Sequence, residues 1–310
     1  MGVGILNIIG NALASDIRMA TPILIAALGL LLINEAGLLN IGVEGTMLIA
    51  TLAAVAGSYF TGSVWGGLLF AIIAGGLMGL LFAFLTITLR ANQTVVGVAV
   101  NILGSGLSAA LNRVVFGVST TIASIDTFKN LTIPVVSRIP IIGTALFNQM
   151  PIVYIGFLLV PVTSYFLFKT QPGLNLRAVG ENPGAADTLG INVFRVRYLA
   201  CIIGSMLMGV GGAFLSTGLL TFFSEEMVSG RGYIAIAAVI FGRYKPTGIM
   251  IAAMIFMAGN VIANLLQVYG VGIPYYFLSM LPYLLTVAAL AMFGKSTVAP
   301  AAQGKPYKRG

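Results

Sequence analysis

The sequence predicts an all-α, polytopic integral membrane protein with about eight to ten transmembrane helices, some of them broken or short. Composition carries the prediction. Of 310 residues, 58% are hydrophobic and only 8% charged, too few charges to cover a water-soluble body of this size. The mean hydropathy is +1.03. Thirty-nine glycines suit the close helix contacts that packing in lipid favours. The whole chain, 1–310, reads as a single transmembrane domain with a polar cytoplasmic loop over 169–197 and a basic cytoplasmic tail over 295–310.

Residues 1–16 hold one charge, Asp16, and suggest a short interfacial helix. The first span reads Met19–Ile33 and runs into a polar patch, Asn34, Glu35, Asn40 and Glu44, within NEAGLLNIGVEG. No charge follows from Gly45 to Leu89, which allows spans at 46–62 and 67–89 divided at SYFTGSVWGG. Trp65, beside that turn, reads as an interface anchor. A loop at Arg90 leads to a span near 94–112, then a longer connection over 113–150, then a span at 151–168. After the polar loop comes a span at 198–220. The stretch FFSEEMVSGRGYIAIAAVIFGRYKPTG has too few uncharged residues for an ordinary crossing and reads as a short, broken one around Ile234–Phe241. Spans at 248–268 and 274–294 lead into the tail. The N-terminus has no basic region followed by a cleavage site, so no removable signal peptide is expected.

Charge sets the orientation. With Gln171–Arg197 in the cytoplasm, 11 of the 16 Lys and Arg residues fall inside, as the positive-inside bias requires. The N-terminus is then outside and the C-terminus inside, after about nine crossings.

Several function classes drop out. The net charge of +8 is scattered singly through loops, unlike the clustered patch of a nucleic-acid binder. There is no histidine, and one cysteine, Cys201, sits in an apolar run as a packing residue. Disulfides within the chain and His- or Cys-based metal sites are excluded. No nucleophile–base pair stands in a recognisable setting, so no catalytic residue is assigned and an enzyme is not expected. Nor is there a G-x-x-x-x-G-K-[ST] loop; Gly242-Arg-Tyr-Lys-Pro-Thr-Gly is not one, so the chain should not bind ATP by itself.

Two features remain. Within Gln171–Arg197, Asn182 can cap a short helix, Pro183 suits its first turn, and Gly190 can take the left-handed stop. The helix, Pro183–Leu189, spans roughly 10 Å. Its small residues Pro183, Gly184, Ala185 and Ala186 suit a close partner. The second feature is a pair of interrupted apolar segments, NEAGLLNIGVEG and SEEMVSGRGY; paired breaks of this kind point to a substrate path in transporters.

The segment Arg177-Ala-Val-Gly-Glu-Asn-Pro-Gly-Ala-Ala-Asp-Thr-Leu-Gly-Ile-Asn resembles the cytoplasmic coupling segment of ABC-importer permeases of the branched-chain amino acid and simple-sugar group. Arg177, Gly180, Asn182, Ala185, Ala186, Gly190 and Ile191 stand at the matching positions. GLLNIGVEGTMLIA and GRGYIAIAAVIFG are similar to the nucleoside-importer subgroup, and the resemblance covers about 25–295. It implies a permease subunit in a bacterial plasma membrane that passes nucleosides or related small solutes. ATP and Mg would be bound by partner ATPase subunits. A second permease, expected to form a heterodimer with this chain, and an extracellular or periplasmic substrate-binding protein would complete the machine. Arg177, Gly180, Glu181, Asn182, Pro183, Gly184, Ala185, Ala186 and Gly190 would couple the chain to the ATPase. Ribose-like sugars and branched-chain amino acids are the alternative solutes. A self-contained secondary transporter or channel is the alternative of another class.

Other residues carry two readings each. Arg177 and Glu181 are spaced for a local i, i+4 ion pair, and Arg195 and Arg197 read as topology anchors. Glu35 and Glu44, at or near membrane depth, either face a path, sit at the headgroup boundary, or cap a broken segment. Asn40 and Asn101 either line the path or bond between helices. Glu225, Glu226 and Arg231, on the outside face, either receive the binding protein or are solvated loop charge. Gly75, Gly76, Gly79, Gly204, Gly209 and Gly212 form small-residue packing faces.

Overall fold

Among the described residues, apolar runs fold as helices, several of which begin or end where a polar residue or glycine offers a cap. Gly62 takes a left-handed turn at φ 64° and ends the second helix, and extended Ser63 opens the third. The Asn92 side chain accepts from the N–H groups of Thr94 and Val95, and Asn192 accepts from that of Arg195, each supplying an acceptor to an otherwise unpaired first turn. The computed structural model describes residues 2–117, 125–132, 142–268, 277, 280, 284 and 299–308.

The helices are α1 (Gly2–Glu35), α2 (Val43–Thr61), α3 (Val64–Ala83), α4 (Gln93–Phe116), α5 (Ile142–Leu146), α6 (Pro151–Lys169), α7 (Gln171–Glu181), α8 (Pro183–Thr188), α9 (Val193–Phe214), α10 (Arg231–Phe241) and α11 (Pro246–Val268). Single π-helical turns extend α3 over Phe84–Thr88 and α9 over Leu215–Leu219. A two-residue antiparallel ladder pairs β1 (Leu131–Thr132) with β2 (Asn148–Gln149). Among the described residues, seven helices are long and apolar enough to cross a membrane, and α10 is a shorter apolar one. The chain is a polytopic all-α membrane protein. The span expected over 274–294 lies, apart from Phe277, Met280 and Leu284, outside the described residues.

α1 is the central post. Ile23, Ile25, Leu28, Leu31 and Ile33 are fully buried, with α9, α10 and α11 packed around them. α3 and α1 both lie along α9 through small residues: a Cβ added at Gly75 of α3 would stand 3.0 Å from the Gly209 Cα, and one at Gly29 of α1 would stand 2.9 Å from the Leu207 Cβ. α4 and α6 sit at the edge and expose apolar side chains such as Ile102, Val114 and Leu158.

Two expectations change, and Trp65 gains a contact. Residues 2–16 are not a separate interfacial helix; α1 is continuous from Gly2 to Glu35, because nothing between Asp16 and Met19 caps or breaks it. The polar loop is more helical than its composition suggests: Thr170 caps α7 by accepting from Gly173 N–H at 3.2 Å. Trp65 meets Phe128 edge-on at 5.1 Å between ring centroids, so this partly exposed ring also packs on the loop before β1.

Candidate functional site

Two polar centres stand out, one at the end of the bundle and one inside it. At the end, α7, α8 and residues 299–308 lie together, next to the turn between α10 and α11. Asn182 caps α8 by accepting from Ala185 N–H at 3.1 Å, and Gly190 follows with φ +82°. The expected short helix is therefore present with both expected ends, one residue shorter at its C-terminus. Gly184 and Ala185 are exposed, as is Leu189 just past the helix, at 81%. Ala186 is not an exposed small residue: it is 2% exposed and packs with Val179, Val193, Ile191, Val196 and Tyr307. One side of α8 thus grips the bundle and the other is open.

Gly180 lets α7 come close to the end of α1, where a Cβ would stand 3.1 Å from the Gly37 nitrogen. No ion pair joins Arg177 to Glu181. The Arg177 guanidinium lies 5.0 Å over the Phe168 ring, and Glu181 accepts from Ala301 N–H at 3.3 Å. Arg197 is no surface topology anchor either. It is 2% exposed, its Nε donates to the Ala36 carbonyl at 3.2 Å, and it lies 6.0 Å from the Tyr307 ring. A cation there meets the negative end of the α1 dipole. Glu35 lies at this same end, buried, with its backbone against Gly180 of α7. Arg195 opens α9 with its backbone on the Asn192 cap.

The second centre joins the two interrupted segments. Glu44, in the first turn of α2, accepts from Gly230 N–H and from Gly232 N–H, each at 2.7 Å, through separate carboxylate oxygens. It therefore caps α10. Asn101, on α4, accepts from Gly45 N–H at 2.9 Å and donates to the Ile41 carbonyl at 3.0 Å and to the Tyr233 hydroxyl at 3.2 Å. Asn40 is buried and folds back to accept from Gly42 N–H at 2.8 Å. Gln93 accepts from Leu39 N–H at 2.7 Å and ties the same segment to the start of α4. α2 and α4 approach closely here because Gly97 and Gly104 face the segment: a Cβ at Gly97 would stand 2.9 Å from the Ile41 nitrogen. α10, with 11 residues, rises only about 16 Å against a hydrocarbon core of about 30 Å. Its first turn bonds through Tyr233 to Asn101, in the body of α4 rather than at either end, so it lies within the span of its neighbours.

Beyond this junction, Glu226 bonds Ser105 on the next turn of α4, and Glu225 pairs with Arg113 at 3.3 Å with both side chains exposed. Arg231 turns back to donate to the Met227 and Val228 carbonyls at 3.1 Å. Glu225 and Glu226 thus trail along α4 away from the junction, while Arg231 belongs to the turn that opens α10. Tyr233, Gln93, Ser105 and Tyr307 were not singled out by the sequence. Tyr233 alone had a local signal, directly following the Gly230-Arg-Gly break.

The chain matches the family described as branched-chain amino acid transport system / permease component over residues 13–290. It is 35% identical to the guanosine ABC transporter permease protein NupQ of Bacillus subtilis, over 99% of each chain. It is 34% identical to the nucleoside ABC transporter permease protein NupC of Lactococcus lactis subsp. cremoris, over 98% of this chain and 99% of that one. With TsgC13 of Haloferax volcanii, a permease named for glucose, it shares 38% identity over 79% of this chain and 74% of that one. No solved structure matches.

Proposed function

The chain belongs to the branched-chain amino acid transport system permease family, as a multi-pass permease subunit of an ATP-binding-cassette importer in the plasma membrane, and from that premise we propose that its solutes are nucleosides. The observation that carries this is the end-to-end similarity to permeases named for guanosine and nucleosides; the glucose-named relative aligns over a shorter share.

The geometry supports a division of labour. The exposed side of α8, with Gly184, Ala185 and Leu189, is the coupling surface for a cytoplasmic ATPase that binds ATP and Mg. Arg177, Gly180, Glu181 and Asn182 hold that helix at its angle, and Gly190 ends it. Solute released by an external binding protein enters on the side of Glu225 and Glu226 and passes the junction held by Asn40, Glu44 and Asn101. α4 is the edge helix beside the junction, and its exposed apolar side chains face a second permease across the path. The chain itself performs no chemistry; work done on α8 by its partner reaches the junction through α7, α1 and α9.

The test is uptake of labelled guanosine, uridine, ribose and leucine in the native host with and without the gene. Loss of nucleoside uptake alone, restored by the gene, is the expected result. Loss of ribose or leucine uptake instead overturns the solute while leaving the permease. Undiminished uptake by a host lacking the gene's partner ATPase would favour a self-contained transporter.

A further inference from the structure

We propose that Tyr233 is the residue of the junction that touches the passing solute, with its ring as a stacking surface for a nucleobase. The inference rests on the nucleoside reading above and narrows it to one side chain. Glu44 has both carboxylate oxygens engaged by the Gly230 and Gly232 amides. Asn101 has both amide protons given, to Ile41 and Tyr233, and its oxygen takes the Gly45 N–H. Asn40 is 1% exposed. Glu44 and Asn101 are committed to the backbone and to Tyr233, and the Asn40 amide nitrogen, though without a hydrogen-bond partner, is buried. They are positioning residues.

Tyr233 differs in each respect. Its side chain is open, the residue being 51% exposed. Its hydroxyl oxygen accepts from Asn101 at 3.2 Å, which leaves the phenolic O–H free to donate. It sits in the first turn of α10, within the depth of the neighbouring spans. Tyrosines facing lipid gather at the headgroup level, where the hydroxyl meets water. Irregular backbone such as Ser229 and Gly230, both with positive φ, is tolerated at membrane depth where it is buried in protein or lines a water-filled cavity. An open phenol on such a segment therefore faces the path. On α4, to either side of its partner Asn101, Val98 and Ile102 are exposed and apolar, so a flat, weakly polar ring finds one aromatic face and one directed donor. Stacking tolerates any base, and the surrounding apolar surface does not discriminate by charge, which suits a carrier of several nucleosides.

The experiment uses the full complex of this chain with its partner permease, ATPase and binding protein in proteoliposomes, and labelled guanosine and uridine at saturation. Wild type, Tyr233→Phe, Tyr233→Trp and Tyr233→Leu are compared for solute transported, for ATP hydrolysed, and for the guanosine-to-uridine ratio. Expected is a roughly tenfold loss of transport in Tyr233→Leu with ATP hydrolysis retained. The loss should be larger for guanosine, whose base offers more stacking area, while Phe and Trp keep most of the activity and the ratio. A purely structural role would lower both solutes and ATP hydrolysis together, and the ratio would stay put; that result overturns the proposal. So does a Tyr233→Leu complex that transports like wild type. If the Leu complex does not assemble, Phe and Trp decide, because loss of the ratio with the ring kept is equally fatal. A wild-type complex that moves neither nucleoside sinks the solute assignment itself, and this inference with it.

Discussion

Glu44 and Gly230, 186 residues apart in sequence, are joined by a 2.7 Å hydrogen bond from backbone N–H to carboxylate. A second bond of the same length binds Gly232. The carboxylate on α2 replaces the Ser, Thr or Asp that would normally precede α10, where Gly230 stands with φ +82°. A cap borrowed from another helix makes the start of α10 and the start of α2 one rigid unit.

Removing that cap should disable the permease. Hydrogen bonds to a charged group contribute about 1.5–3 kcal/mol each, and Glu44→Ala loses two while leaving two amides unpaired at membrane depth. We expect a lower melting temperature in detergent and transport reduced at least tenfold. Glu44→Gln keeps one acceptor and the shape, and should recover part of both. A Glu44→Ala protein that melts with wild type would mean that water takes over the cap.

Gly232 has no room for a side chain. An added Cβ would stand 2.6 Å from the Glu44 nitrogen and 2.7 Å from its Cα, both backbone-fixed atoms. Gly232→Ala should therefore push α10 off its cap and reproduce the Glu44→Ala defect. Gly184→Ala makes the contrast, since its Cβ would meet only the Asn182 side-chain oxygen at 3.5 Å. Alanine in place of glycine within a helix gains about 0.5–1 kcal/mol, so that variant should melt no lower than wild type.

Two neighbours on α8 should fail differently. Ala185 is exposed and Ala186 is 2% exposed. Ala185→Glu leaves the fold intact and should block productive coupling, seen as ATP hydrolysis that no longer responds to the loaded binding protein. Ala186→Glu buries a charge among Val179, Val193 and Val196 and should reduce the amount of assembled protein instead. Equal assembly of the two variants would contradict the observed facing of the helix.

How far these features could be read in the sequence follows from the range of the interactions behind them. The α8 helix was legible because Asn182, Pro183 and Gly190 act within a few residues of themselves. The seven spans were legible because apolar run length sets helix length in a bilayer. α7 was overlooked, although Thr170 followed by Pro172 is a start signal, because its own residues are too polar to show an apolar stripe. The similarity of the two interrupted segments was visible; that one caps the other was not, since nothing local in Glu44 distinguishes a cap from a path-lining carboxylate. Arg197 reads as a topology anchor beside the exposed Arg195, and only the end of α1 arriving beside it makes it a buried donor.

The tail contributes more than charge, and its removal makes the last prediction. Residues 299–308 lie against α7 and α8: Ala302 N–H donates to the Gly180 carbonyl at 3.0 Å, Ala301 N–H to Glu181 at 3.3 Å, and the Tyr307 hydroxyl to Asp187 at 3.0 Å. The Tyr307 ring also packs with Phe194, 5.9 Å between centroids, and joins the apolar cluster under Ala186. At the other side, Tyr244, in the turn after α10, donates to Gln303 at 3.3 Å. Burial pushes the Tyr244 phenol above its usual range, against the lowering effect of that bond, so it stays a neutral donor at physiological pH. The tail therefore bridges α8 to the C-terminal end of α10, whose N-terminal turn carries Tyr233. Movement of α8 then has a route to α10 that does not pass through α1. Deleting 299–310 should leave α8 capped by Asn182 and the spans assembled, yet lower the number of solutes moved per ATP several-fold. Tyr307→Phe, which loses the Asp187 bond and keeps the ring, should fall between wild type and the deletion, and Tyr307→Ala should approach the deletion. Transport per ATP measured in the reconstituted complex decides it: an unchanged ratio in the deletion would leave α7, α1 and α9 as the whole of the connection.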